Sequence, residues 1–276
     1  MNNFKFWNKI SHEIMDEVDK VVKPLIGDKK SGETVKMGAD GTPTKLIDLV
    51  AEEKVVEILE EANRPLILVS EEIGRIGIGK GSPEVVFVVD PLDGTNNAVK
   101  NIPAYGISIA VADIENTDKN MNINDIKMGY VKNFATGDIY QAHEGEGARL
   151  NDKKIRTSSK TDITKSSIGA YIYRADMKKV DKLCKMIRRM RILGSVAIEL
   201  CYVADGTYDA FLDIRGNLRI VDVSAAKLII EEAGGIVTDE NSQPLNGKLN
   251  VLERTSIIAS GNHEIHKELI NIIGGK

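Results

Sequence analysis

Residues 84–97, EVVFVVDPLDGTNN, decide how the chain is read. Val85 to Val89 is an unbroken β-branched and aromatic run, the pattern of a strand buried on both faces. The run ends on Asp90. Pro91 lacks the N–H that ladder pairing needs, Asp93 follows, and Gly94-Thr95 turns the chain. Two carboxylates are thereby placed at the carboxyl end of a rigid strand, with free backbone N–H groups just beyond. Carboxylates suit hard divalent cations, and N–H groups at a turn or helix start suit phosphate oxygens. A cation site beside an oxyanion site is the minimum apparatus for metal-assisted phosphoryl chemistry.

Upstream of this stretch, Trp7, Ile10, Ile14, Val18 and Val21 recur at spacings of three and four and predict a first helix, which Pro24 ends. Residues 27–43, GDKKSGETVKMGADGTP, lack apolar periodicity and read as a long polar loop. Thr44 is placed to cap a second helix, with Ile47, Ala51, Val55, Ile58 and Ala62 on its buried stripe and Asp48 in its first turn. Residues 66–69 form a short strand that leads into Ser70-Glu71-Glu72.

Downstream, residues 105–112, 126–133 and 137–142 are successive strands separated by Asn, Asp and Gly turns, and 144–150 add a turn and a short strand. The first half thus reads as a sheet carrying two N-terminal helices. The second half alternates. Strands are expected at 167–173, 190–193, 208–214, 236–238 and 256–259. Helices are expected at 181–187, from Gly194-Ser195 through Ala204, at 222–233 with Gly234-Gly235 as the stop, and at 263–273. The expectation is an α/β chain of two coupled lobes, residues 1–160 and 161–276.

With 276 residues, 42% hydrophobic and 28% charged, the chain can build a core without staples. A net charge of −4, with Lys and Arg scattered rather than blocked, argues against a nucleic-acid partner. The start, MNNFKFWNKI, has no signal-peptide core, and no apolar run is long enough to cross a bilayer, so a cytoplasmic protein with no membrane partner is expected. Cys184 and Cys201 have no metal-ligand spacing and read as buried free thiols. His263 and His266 read as surface residues of the last helix.

Acids recur at strand ends and helix starts: Glu71, the Asp90/Asp93 pair, Asp213 and Asp222. An Asp at a helix start is often a cap, and a lone loop Glu is usually solvated. Two acids flanking a buried strand end are harder to dismiss, because they repel unless a cation or partner neutralises them. Oxygen donors with one or two acids per ion suit Mg²⁺ better than Zn²⁺.

The motifs VSEE, DPLDGTNN, GEGARLN, RILGSVAIELCYVADGTYDAF, VDVSAA and EEAGG, in this order over nearly the whole chain, resemble the inositol monophosphatase family of magnesium-dependent phosphatases. The resemblance implies a layered αβαβα sandwich, two or three Mg²⁺ ions (with Mn²⁺ as an alternative) and a homodimer. It implies that Glu71, Asp90 and the Leu92 carbonyl hold a first ion, that Asp90, Asp93 and Asp222 hold a second, and that Glu71 and water hold a third. Gly94 and Thr95 would bind phosphate through backbone N–H groups, Asp48 would orient the Thr95 hydroxyl to activate a water, and the 27–43 loop would close over the site.

Val221 stands where many members carry Trp, and DIRGNLRIVD adds Arg215 and Arg219 between Asp213 and Asp222. With RILGS, this variant resembles archaeal-type members acting on inositol phosphate and fructose 1,6-bisphosphate. Arg191 and Arg215 are then candidate substrate contacts, with Ser195 and Val196 lining the pocket. Tyr171, Tyr173 and Arg174 could reach a second phosphate, with packing roles as the alternative. The substrate expected is a small phosphorylated sugar or polyol. A nucleotide-type phosphatase acting on 3′-phosphoadenosine phosphates or NADP uses the same acids, and a metal-binding scaffold without turnover is the non-enzymatic reading.

Overall fold

In the computed structural model, which describes residues 2–114 and 121–274, the chain opens with α1 (Asn2–Val22), the hairpin β1 (Thr34–Met37) and β2 (Pro43–Lys45), and α2 (Leu46–Glu61). It continues through β3 (Leu66–Ser70), β4 (Gly74–Ile78), β5 (Val85–Asp93), α3 (Thr95–Lys100), β6 (Gly106–Asp113), β7 (Ile126–Asn133), β8 (Ile139–His143), β9 (Gly147–Leu150) and β10 (Lys153–Lys154). Then come β11 (Ser167–Ala170), α4 (Met177–Met186), β12 (Arg189–Arg191), α5 (Val196–Ala204), β13 (Ala210–Arg219), α6 (Ile220–Glu232), β14 (Ile236–Thr238), β15 (Arg254–Ser260) and α7 (His263–Ile273).

Two sheets organise these elements. One has eight strands in the order β10-β9-β8-β7-β6-β5-β3-β4, antiparallel except for β3 beside β5. The other has five, β12-β11-β13-β15-β14, with β11 parallel to both neighbours. The period-two alternation of strands sorts their side chains into layers. Val85, Phe87 and Val89 pack with Trp7, Ile14 and Val18 of α1 and Ile47, Ala51 and Val55 of α2. Val86 and Val88 face the other way, onto α5 and α6. Phe211, Ile257 and Ala259 of the second sheet meet the same two helices, while Ala210, Leu212 and Ile258 turn outward to α4 and α7. The fold is therefore a five-layer αβαβα sandwich with α5 and α6 as its central layer.

A helix between two sheets needs an apolar surface all round. In α6 every residue from Ile220 to Ile230 is buried. Gly129 of β7 lets this helix come close, since a Cβ there would lie 2.7 Å from the Ala225 carbonyl oxygen.

Several expectations need correction. Residues 27–43 are not a structureless loop: a short 3-10 turn at Lys29–Gly32 and the β1–β2 hairpin order most of them. Thr44 does not cap α2. It lies in β2, the N-cap is Lys45, and the Thr44 hydroxyl donates to buried Glu72. Pairing of β5 does not stop at Pro91, because a bulge between Asp90 and Asp93 absorbs the proline and the ladder resumes at Asp93–Gly106. Cys184 is exposed, and only Cys201 is buried. His266 is buried between the Thr238 and Ser260 hydroxyls, and burial pulls it down to about 4, so it is no surface residue. Val22 completes the buried core face of α1, and Val21 packs half-buried against it. Among the described residues no helix is long and apolar enough to cross a membrane.

Candidate metal and phosphate site

Three chain segments meet at the carboxyl ends of β3 and β5. Glu71 follows β3, Asp90 and Asp93 belong to the bulged end of β5, and Asp222 is the third residue of α6. One carboxylate oxygen from each of Glu71, Asp90 and Asp222 lies within 4.8 Å of the other two. Burial pushes Asp90 well above the ordinary carboxylate range, with Glu71 and Asp93 adding to the effect. Burial also pushes Glu71 up to about 8, against the pull of Arg219. Such a set is electrostatically unfavourable without a neighbouring positive charge. Its donors are all oxygen, so the residues fit a hard divalent cation.

Asp93 lies outside that set of three and has further partners. Its Oδ2 accepts hydrogen bonds from the Ser195 hydroxyl and the Ala197 N–H, both at 2.7 Å, and its Oδ1 accepts from the Val196 N–H at 3.2 Å. A carboxylate on β5 thus caps α5 from 102 residues away, and Ser195 and Val196 are placed by it. Burial raises Asp93 to about 6 although the Ser195 hydroxyl opposes this.

Gly94 has φ +85°, and a Cβ there would lie 2.6 Å from the Ala104 carbonyl oxygen, so the turn requires glycine. The turn starts α3 at Thr95. The Thr95 hydroxyl lies 2.7 Å from Asp48 Oδ1 and 3.0 Å from the Leu92 carbonyl oxygen, and its single proton can serve one of them at a time. Asp48 is fixed in turn by the Lys45 N–H on its Oδ2, and burial raises it above the ordinary range. Asn97 bridges the Ala104 and Leu193 carbonyls at 2.8 Å each and so ties α3 to the segment before α5.

Arg191, Arg215 and Arg219 are each engaged. Arg215 forms a forked pair with buried Asp213 (2.8 and 2.5 Å) and lies 4.2 Å over the Tyr173 ring, which removes Asp213 from the acidic cluster. Arg191 donates to the Ser167 hydroxyl and stands over the Tyr208 ring, so it is held against β11. Arg219, the N-cap of α6, reaches Glu71, Asp222 and Asp40 together.

Three contributors have no role in the sequence reading. Asp40, at the hairpin tip, gives no sequence signal. Burial alone would raise it, but hydrogen bonds from Thr42 and the Arg219 charge hold it below its ordinary range. Glu72 shares the hydrogen bond with Thr44 and is pushed up to about 7, chiefly by burial. Glu199 accepts from the Tyr171 hydroxyl (2.7 Å) and from the Leu193 and Gly194 N–H groups (3.0 and 3.1 Å), shaping the turn before Ser195. A lone acid within the apolar run of α5 was the available clue to Glu199.

Residues 5–274 match the model of the inositol monophosphatase family. A fructose-1,6-bisphosphatase/inositol-1-monophosphatase of Methanothermobacter thermautotrophicus is 52% identical, over 97% of this chain and 96% of that one. A bifunctional NADP phosphatase/NAD kinase of Methanocaldococcus jannaschii is 43% identical over 97% of this chain, a match that spans 50% of the longer protein. A crystal structure of an inositol monophosphatase–fructose 1,6-bisphosphatase superposes with a TM-score of 0.84 at 31% identity, covering 96% of this chain and 99% of that one.

Proposed function

The chain belongs to the inositol monophosphatase family and is a phosphoric monoester hydrolase; from that premise we propose that it hydrolyses fructose 1,6-bisphosphate and inositol 1-phosphate with Mg²⁺. The observation that carries the proposal is the meeting of the Glu71, Asp90 and Asp222 carboxylates beside the Thr95–Asp48 pair.

In this reading Glu71, Asp90 and the Leu92 carbonyl hold one Mg²⁺, and Asp90, Asp93 and Asp222 hold a second, with Glu71 serving a third. When bound, the ions lower the pKa of water and neutralise charge on the phosphate and the leaving oxygen. The chain's own groups do the rest. The Thr95 oxygen takes the proton that the attacking water gives up while its own proton goes to Asp48, which its raised pKa suits to proton acceptance; the leaving oxygen takes a proton from a solvent water, and Asp48 returns its proton to the hydroxide so formed. The Gly94 and Thr95 N–H groups orient the phosphate. Ser195 and Val196, placed by Asp93, line the alcohol side, with Arg191 and Arg215 at its edge. The products are the free alcohol and inorganic phosphate.

A nucleotide substrate is the second reading. It is favoured by the NADP phosphatase/NAD kinase relative and by the half-exposed Tyr173 stacked under Arg215. We also infer a cytoplasmic homodimer whose lobes, residues 1–160 and 161–276, supply the acids and the substrate contacts. Phosphate release from fructose 1,6-bisphosphate, inositol 1-phosphate and NADP at saturating Mg²⁺ tests the choice. The highest kcat/KM is expected on a sugar or polyol ester; no release from any of the three, with and without EDTA, overturns the reading.

A further inference from the structure

Arg219 lies inside the acidic set rather than beside it. Its Nε donates to Asp222 Oδ1 at 2.8 Å, and its Nη1 donates to Asp40 Oδ2 at 3.0 Å and to Glu71 Oε1. Its own backbone N–H donates to Asp222 Oδ2 at 3.2 Å, which anchors the backbone at the N-cap of α6, and the guanidinium reaches the cluster from there. Two of the three clustered carboxylates, Glu71 and Asp222, therefore face a positive charge supplied by the chain itself.

We propose that Arg219 is a built-in counter-cation that competes with divalent metal for the oxygens of Glu71 and Asp222, and that Asp40 is the berth it keeps when it yields them. The inference rests on the reading that this cluster holds the catalytic ions. Any ion held by carboxylates this close together is a near neighbour of the guanidinium, and like charges in a buried site repel strongly. Asp40 sits on the hairpin, outside the cluster, and its other oxygen is already fixed by Thr42 at 2.8 Å, so it stays in place whichever cation the acids hold. Arg254, 4.0 Å from the same Asp40 oxygen, adds a second positive charge there. The arrangement sets metal affinity below what the bare acids would give and keeps the acids neutralised when metal is scarce.

The test is calorimetric binding of Mg²⁺ and Mn²⁺ to the full chain after EDTA treatment, with melting temperatures in EDTA and in Mg²⁺. Arg219→Met is expected to bind on the order of tenfold more tightly, to melt lower in EDTA and to gain more from Mg²⁺ than the wild type. Arg219→Lys keeps the charge and should fall between the two. Asp40→Asn preserves the Thr42 turn yet removes the berth. It should bind several-fold more weakly, and this loss should vanish in the Arg219→Met background. If Arg219→Met folds only with Mg²⁺, metal has replaced the missing charge and the inference stands; if it folds in neither, Arg219→Lys decides, by binding more tightly than wild type. Metal affinity that is unchanged or weaker in the Arg219 variants overturns the inference, because the guanidinium would then serve to position Asp222. A wild-type chain that binds neither ion overturns the functional reading as well.

Discussion

Helices α2 and α6 begin with the same local device and end up doing different things. Each has a basic N-cap, Lys45 or Arg219, followed three residues later by an aspartate, Asp48 or Asp222, whose Oδ2 accepts the N-cap N–H at 3.1 or 3.2 Å. That half of each carboxylate is structural and satisfies an orphan donor of the helix start. The other oxygen differs. Asp48 Oδ1 meets the Thr95 hydroxyl, and Asp222 Oδ1 faces the acidic cluster and Arg219. The helices differ too: α2 buries one stripe on an outer layer, whereas α6 is buried throughout its first eleven residues between two sheets. An aspartate at a helix start can therefore be both a cap and a reactive group, one oxygen for each.

The sharpest way to break this comparison is Asp222→Asn. The amide oxygen can still accept the Arg219 N–H, so the melting temperature should stay near wild type, while kcat falls on the order of 10³-fold through loss of an anionic metal ligand. Turnover within tenfold of wild type would reduce Asp222 to a cap. Asp48→Asn should likewise keep its helix and lose about 10²-fold in kcat, the usual share of a positioned proton acceptor. Steady-state rates beside thermal melts read both.

Glu199 offers a control away from the caps. Burial pushes it up to about 7 from an ordinary 4.5, so between those values the folded chain holds a proton that the unfolded chain has released. Stability therefore falls as pH rises through that window. Glu199→Gln removes the titration, and its melting temperature relative to wild type should be higher at pH 8 than at pH 5. The opposite ordering would mean that the ionised carboxylate stabilises the turn before Ser195.

The smallest effect is expected at Lys45, whose ammonium donates to Asn96 at the surface while its backbone does the capping. Lys45→Ala should shift stability by no more than about 0.5 kcal/mol in chemical denaturation. A larger loss would show that the basic side chain, and not the backbone N–H alone, matters at this cap.

How much of this was legible depends on the range of the interactions. The buried run at 85–89, the strand at 126–133 and the helix at 263–273 are written in local periodicity, and their bounds agree closely with the fold. The acids Glu71, Asp90 and Asp222 were visible because a strand end or helix start followed by a turn is a local pattern as well. What stayed hidden depends on partners distant in sequence. The hairpin at 34–45 has a fully exposed first strand and no apolar alternation to betray it. The burial of His266 follows from two hydroxyls on other strands. No sequence window could show Arg219 meeting Asp40 or Asp93 capping α5, since these pairs are 179 and 102 residues apart.

The central helical layer has a consequence for the chain's birth. The inward-facing Val86, Val88 and Ala110 of the large sheet are covered by helices encoded about a hundred residues later. At a synthesis rate of roughly 5–20 residues per second, that oily surface emerges from the ribosome on the order of ten seconds before its cover. A nascent chain halted ahead of residue 196 should therefore be a chaperone client and an inert one, acquiring its chemistry only when the last third of the polypeptide has been made.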